Sequence, residues 1–328
     1  MPGEFEPHAA TWMAWPCRQE IWGEAFAAVK QDTARLAQTI TAFEPLFMVA
    51  RPQDAAEVAM LCGPAVRIVE LPIDDSWARD SGPTFITNGR ELAATAWRFN
   101  AWGNKYHPHD ADAGLARRVA DRAGVPVVAG DLVLEGGGIL SDGEGTLFTT
   151  ESCLLNPNRN PGLSRVAVEA ELMRVLGAHK VIWMPGDPTE LETDGHIDGL
   201  LALVEPGAAL IEAVDDPQDP RAEILRENRR ALELAIDAKG RALRLWPIGE
   251  AQPGPGPRYC RSYVNFYLVN GAVIAPAYGQ PSDRNVENLL RSVYRGRRIV
   301  MLPIGAIATG GGGFHCVTQQ QPRAGSAP

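Results

Sequence analysis

Apolar positions along this chain fall into a coarse rhythm of helix, glycine and strand. Residues spaced three and four apart predict amphipathic helices near 53–62, 110–123, 163–176, 219–239 and 283–295. Each runs into a glycine able to close a helix in the left-handed conformation: Gly63, Gly124, Gly177, Gly240 and Gly296. Successive glycines stand 61, 53, 63 and 56 residues apart. After each comes a short apolar run that reads as a strand: VRIVEL, VPVVAG, KVIWMP, LRLWPI and RIVMLPI. Pro72, Pro185, Pro247 and Pro303 end four of the five, since proline has no N–H to offer a ladder.

A recurrence of about 58 residues is what stacked or radially arranged units produce. Any α/β chain alternates helix and strand, so the periodicity alone is not decisive. The placement of polar motifs adds to it. DDSWARD (74–80), LEGGG (134–138), ETDGHID (192–198), RSYVNFY (261–267) and GGGGFHC (310–316) each follow one of the five strands. Units related by rotation would bring these loops to one end of a central axis, so that residues from 80 to 316 share one pocket. A further helix, 21–43, carries Trp22, Phe26, Val29, Leu36, Ile40 and Phe43 on one stripe and is expected outside the ring. Segment 251–258 reads as a stiff Pro/Gly loop, and the tail 323–328 as disordered. No interdomain linker is evident, so 1–328 reads as a single catalytic α/β unit.

Composition narrows the class. A hydrophobic share of 45% suits a large core. With a net charge of −9 and no sizeable basic cluster, nucleic acid is not the expected partner. No stretch approaches the ~20 apolar residues of a membrane span, and MPGEFEPHAATW lacks the layout of a signal peptide. Cys17, Cys62, Cys153, Cys260 and Cys316 are odd in number, far apart and without a C-x-x-C pair, unlike a disulfide framework or zinc cluster. A reducing, cytoplasmic setting is therefore expected, where a free thiol survives.

Five residues carry candidate chemistry. Cys316 follows four glycines, which let backbone approach a ligand closely, whereas an ordinary free cysteine is a core residue. No Lys-Ser/Thr follows the run, so phosphate cradling is a poor reading. His196 and Asp198, two apart, would share a face on an extended segment. Metal ligation, general base work and plain hydrogen bonding all remain open for them. Glu135 closes an apolar run, a costly place for an acid unless it is paired. Asp80 adjoins Arg79, either as a surface pair or as part of a site. His315 would point away from Cys316 on a strand and is expected to pack. Trp12, Trp15, Trp77, Trp97 and Trp102 are core candidates first, with Trp77 the best placed to wall a pocket.

The stretches EPHAATWMAWP (6–16), DDSWARDSGPTF (74–85), WRFNAWGNK (97–105), LEGGG, DGEGTLFTTESCLLNPNRNP (142–161), ETDGHIDG (192–199), SYVNFY (262–267) and GGGGFHCVTQQ (310–320) span the chain in one order. Together they resemble the agmatine deiminases, within the guanidine-modifying superfamily that includes peptidylarginine and arginine deiminases. The resemblance implies a five-bladed α/β propeller, the pentein fold. It implies Cys316 as nucleophile, His196 as acid/base, Glu135 as its carboxylate partner, and Asp80 and Asp198 as the grip on a guanidinium. It further implies Glu192 at the substrate's tail, with Asp194 as local rival; Trp77 and Gly313 are also expected against the substrate. Gly313 and Phe314 stand where many relatives carry a polar and an aliphatic residue.

The implied reaction turns agmatine and water into N-carbamoylputrescine and ammonia, a step in polyamine biosynthesis, with no cofactor or metal. The implied partner is a small cationic guanidine, and a homo-oligomer, dimer or tetramer, is compatible. The grip is physically coherent, because a guanidinium presents a planar fork of donors that two carboxylates can hold. Positive charge beside the sulfur then favours thiolate. Rival readings are a deiminase of another, arginine-like alkylguanidine, a metal-dependent hydrolase using His196, Asp198 and Glu135, and a non-catalytic guanidine-binding protein.

Overall fold

The computed structural model describes residues 1–214 and 216–325. Sixteen strands among them form five separate sheets with a common plan. In each, a leading strand pairs antiparallel with a second, and a third, reached through a helix, pairs parallel with the second. β4 (Thr84–Thr87), β5 (Leu92–Arg98) and β6 (Val127–Val133) make one such sheet, with α3 (Leu115–Ala123) as the crossover. β7 (Ile139–Ser141), β8 (Thr146–Thr150) and β9 (Lys180–Met184) repeat it with α4 (Arg165–Leu176). β10 (Leu201–Glu205), β11 (Ala208–Glu212) and β12 (Arg244–Ile248) use α5 (Ala222–Glu233). β13 (Tyr267–Val269), β14 (Ala272–Ala277) and β15 (Arg298–Pro303) use α6 (Ser282–Val293).

The remaining sheet joins the two ends of the chain. β16 (Thr318–Pro322) pairs antiparallel with β1 (His8–Ala14), and α1 (Phe26–Thr41) leads to β2 (Leu46–Ala50), parallel to β1. A second crossover, α2 (Ala55–Cys62), adds β3 (Val66–Glu70) as a fourth strand. By pairing, then, the repeating helix here is α1 and not the 53–62 helix singled out from the sequence. The glycine rule missed it because α1 passes into Ala42 without a glycine.

All five marker glycines have positive φ, but only Gly124 and Gly177 sit at a helix C-cap in the left-handed region. Gly63 caps α2 with ψ near 178°. The helix expected over 219–239 stops at Glu233, because Asp237 ties the next turn to itself. Its Oδ1 accepts from the backbone N–H of Lys239 and Arg241, and Ile236 bridges to Ala242. Gly240 belongs to that turn, not to a helix end.

The apolar stripe of 21–43 behaves as the pattern predicts: Trp22, Val29, Leu36 and Ile40 are buried, with Phe26 and Phe43 packed alongside. Of the expected disordered tail, Arg323 bonds to the Pro7 and His8 carbonyls, while 326–328 lie outside the described residues. Among the described residues no helix is long and apolar enough to cross a membrane.

Each leading strand is entered from a loop that carries a polar side chain. Asp80 lies on the one-turn helix Ala78–Ser81 before β4, and Glu135 immediately precedes the turn Gly136–Gly138 before β7. His196 and Asp198 flank Ile197 before β10, Asn265 comes before β13, and Cys316 before β16. The fold thus supplies one such loop per sheet.

Candidate active site

Three of those loops line a cavity of about 270 Å³ with Cys316, His196, Asp198 and Asn265, and Glu192 joins its wall. A smaller hollow of about 30 Å³ adjoins it, sharing Cys316 and Glu192 and adding Trp77, Asp80 and Trp102.

His196 is the hub. Its Nε2 lies 3.1 Å from Glu135 Oε2, while Nδ1 lies 3.8 Å from Asp80 Oδ1 and 4.0 Å from Asp198 Oδ1. Nδ1 is buried without a hydrogen-bond partner in the protein. Burial disfavours its charge, but Asp80, then Cys153 and Glu135, raise its pKa well above the ordinary imidazole value. His196 and Asp198 share a face, though not through an extended strand: a 3₁₀ turn over Ile197–Gly199 sets their relation.

Glu135 meets the requirement for a buried acid. Arg159 Nε donates to its Oε1 at 2.7 Å, with both side chains fully shielded from solvent. Burial would raise the acid's pKa, yet the His196 hydrogen bond and Arg159 hold it below the usual range. Arg159 also donates to Asp194 Oδ2 (2.6 Å) and to the Thr193 carbonyl, locking the 192–198 segment to Glu135. Asp194, paired in addition with Lys105, is therefore a structural acid.

Asp80 and Asp198 are shifted in opposite directions. Gly137 N–H and Trp102 Nε1–H donate to the two oxygens of Asp80, each at 2.9 Å. Burial nonetheless pushes its pKa up, helped by Asp198 and Glu135 and opposed by His196. Burial would raise Asp198, but the His315 hydrogen bond and the charges of His315, His196 and Arg79 together hold it below its ordinary value. A Cβ built on Gly137 would lie 2.6 Å from His196 Nδ1, 2.9 Å from Asp80 Oδ1 and 3.0 Å from Asp198 Oδ2. The missing side chain leaves open the point where two acids and an imidazole converge.

Cys316 Sγ lies 3.4 Å from Asn265 Oδ1 and 3.7 Å from Asp198 Oδ2. Burial, then Asp198 and Asp80, push the thiol well above the ordinary range. Unliganded, this sulfur is a thiol. A cation docked beside it would reverse that balance.

Gly311 and Gly312 form the wall beside Cys316, and a Cβ on Gly312 would approach its Sγ to 3.1 Å. Gly313 sits behind them, where a Cβ would come within 2.4 Å of Asn265 Oδ1. Gly312 is thus on the cavity wall and Gly313 is not, although the Gly313 backbone favours the Cys316 thiolate. Trp77 lines the smaller hollow, stacked on Trp22 at 5.5 Å, and Trp102 joins it. Trp12 stacks on Phe47, Trp97 bonds to Thr84 and Trp15 is wholly buried. Glu192 faces both cavities but is already engaged, with Arg258 Nε at 2.8 Å and the Tyr106 hydroxyl.

Three contributors escaped the sequence reading. Asn265 accepts from the His315 and Cys316 N–H groups and donates to the Asp198 carbonyl; one amide inside the apolar run V-N-F-Y was the available signal. Arg159 had no signal beyond its motif. His315, expected to pack, instead bonds to Asp198. Glu135, Cys153 and His196 bring one ligand atom each within 4.8 Å of one another, the kind of set a metal could use. Asp198 is not part of it, and Arg159 on Glu135 opposes a cation there.

Residues 1–322 match the family of Porphyromonas-type peptidyl-arginine deiminases. The chain is 40% identical over 349 residues to the agmatine deiminase of Ectopseudomonas mendocina, covering 98% of this chain and 95% of that protein. It is 40% identical to a putative agmatine deiminase of Streptomyces coelicolor, covering 98% of each. The solved agmatine deiminase of Enterococcus faecalis superposes with a TM-score of 0.95 at 32% identity, covering 99% of this chain and 96% of that one.

Proposed function

The chain belongs to the Porphyromonas-type peptidyl-arginine deiminase family, and from that premise we propose that it is an agmatine deiminase. It hydrolyses the substrate's guanidinium to give N-carbamoylputrescine and ammonia. The observation that carries this reading is the convergence of Cys316, His196 and Asp198 on one cavity, with Asp80 and Glu135 flanking the imidazole.

The guanidinium docks at the point left open by Gly137, its planar donors shared between Asp80 and Asp198. Trp77 and Trp102 flank it. Its charge stabilises the Cys316 thiolate, whose proton passes to solvent on binding. The thiolate adds to the central carbon while charged His196 protonates one nitrogen, and ammonia leaves. The carbon remains bound to sulfur as a thiouronium. His196, now neutral and oriented by Glu135, takes a proton from water, which attacks the same carbon. The carbon–sulfur bond breaks, the ureido product departs and the thiol regains its proton. The acids supply pre-oriented negative charge for the cationic intermediates throughout.

Glu192 receives the tail ammonium once Arg258 moves aside. The five sheets are read as the blades of a propeller around this site, and 1–328 as one catalytic unit. Five unpaired cysteines suit a reducing cytoplasm, and the product suits polyamine supply.

Intact mass of protein quenched during turnover tests the chemistry: an amidine adduct on Cys316 is expected. Faster ammonia release from arginine than from agmatine would move the substrate to an arginine-like alkylguanidine. Loss of activity on chelation, restored by a divalent ion, would replace the thiol mechanism with a metal-dependent one.

A further inference from the structure

Behind the substrate-facing acid Asp198 stands a second buried imidazole that the mechanism does not use. His315 Nδ1 lies 2.7 Å from Asp198 Oδ2. On the far side of the ring, Nε2 lies 2.9 Å from each oxygen of Glu4. Glu4 is pinned in turn by Arg79 Nη1 at 2.9 Å, and Arg79 Nε donates to the His315 carbonyl at 3.3 Å. His315, Asp198 and Arg79 are buried, so water does not dilute these contacts.

A neutral imidazole has one N–H and one lone pair. Here both ring nitrogens face carboxylate oxygens, and only the doubly protonated ring satisfies both. The relay fixes Oδ2 of Asp198, the oxygen that also lies 3.7 Å from Cys316 Sγ, while Oδ1 stands 4.0 Å from His196 Nδ1.

We propose that His315, backed by Glu4, is a positioning residue that keeps Asp198 ionised and aimed at the substrate. The segment before β1 is thereby part of the catalytic apparatus, although Glu4 touches no substrate. The inference rests on the agmatine deiminase reading and deepens it. The charged groups around the ring are Asp198, Glu4 and Arg79, with His8 and Tyr267 further out around Glu4. Of these, Glu4 and Asp198 favour the charged ring and Arg79 opposes it. Removing the Glu4 charge should therefore let the ring lose its proton at lower pH.

The test measures kcat and KM for agmatine from pH 5.5 to 9.5 in the unaltered chain and in Glu4→Gln, His315→Asn and His315→Ala, each checked for native circular dichroism. Glu4→Gln is expected to move the alkaline limb of kcat/KM down by about one pH unit. His315→Ala is expected to raise KM about tenfold or more. His315→Asn, which keeps a donor toward Asp198, should recover part of that loss. A Glu4→Gln profile superimposable on that of the unaltered chain overturns the proposal, as does a His315→Ala variant within twofold of its kcat/KM. Should the variants not fold, the His315 ¹⁵N shifts in the unaltered chain decide: a ring still doubly protonated at pH 8 supports the proposal, and one deprotonating below pH 7 overturns it. An unaltered chain that releases no ammonia from agmatine condemns the deiminase reading instead, while the ring titration still reports on the relay.

Discussion

Arg159 Nε and Glu135 Oε1 face each other at 2.7 Å with neither side chain reachable by solvent. Such a pair contributes little net stability as a pair, but breaking it strands a charge. Arg159→Met is therefore expected to destabilise the fold by about 3–5 kcal/mol, read by urea denaturation. It should also free Glu135 to protonate, so the residual activity should fall as pH drops toward 5, more steeply than in the unaltered chain.

Gly137→Ala places a methyl where Asp80, Asp198 and His196 converge. Activity should fall more than about 100-fold, because displacing a reacting group by even an ångström costs on that order. Thermal stability should change far less than activity. Near-normal kinetics in this variant would show that the guanidinium sits elsewhere.

The Cys316 thiol is raised by burial and by two acids, so only a cation should activate it. A cationic haloacetamidine should alkylate it at pH 7.5 at least about tenfold faster than the neutral haloacetamide. Cys316→Ser should lose on the order of 10³-fold or more in kcat while still binding agmatine in a calorimeter.

Glu192→Gln should raise KM for agmatine about tenfold, roughly the value of one charge-assisted contact, with a smaller change in kcat. An alkylguanidine with an uncharged tail should be handled alike by both proteins. Equal effects on the two substrates would remove Glu192 from tail recognition.

Buried acids also set the pH dependence of folding. Burial raises Asp112 to about 8 and Asp75 to about 6. The native state binds these protons more tightly than the unfolded chain, so stability falls as pH rises from about 4 to 8. Glu135 and Asp198 have lowered values, so what they contribute is complete above the ordinary carboxylate range and fades as pH falls through their native values. His196 is raised; its contribution is complete below about 6.5 and fades as pH rises through its native value. A thermal midpoint highest near pH 5 and declining toward pH 8 is expected in a melting series, with Asp112→Asn flattening the decline.

Third strands, crossover helices and the clustering of polar loops were legible because each follows from local spacing. A helix was read over 21–43, where the structure has a short helix Gln19–Trp22, a turn Gly23–Ala25 and α1, but its place in the repeat was not seen, since α1 ends at Ala42 without a glycine to mark it. Cys316, His196, Glu135, Asp80 and Asp198 were singled out by residue type beside turn-forming neighbours and by motif resemblance. Arg159, Asn265 and His315 act through partners 24 to 311 residues away in sequence, and no local pattern encodes such a pairing. The same holds for Glu192, whose engagement with Arg258 and Tyr106 depends on two other loops.

Four of the sheets draw on neighbouring stretches, whereas the fifth waits for β16 to reach β1, a meeting in which Trp12 bonds Gln321 across 309 residues. Contacts of such sequence separation carry a larger closure cost than the local pairings of the other four sheets. Cys316 leads directly into β16 and Glu4 lies just ahead of β1. On the proposed mechanism, placing Cys316 in the cavity therefore depends on the two ends of the chain meeting.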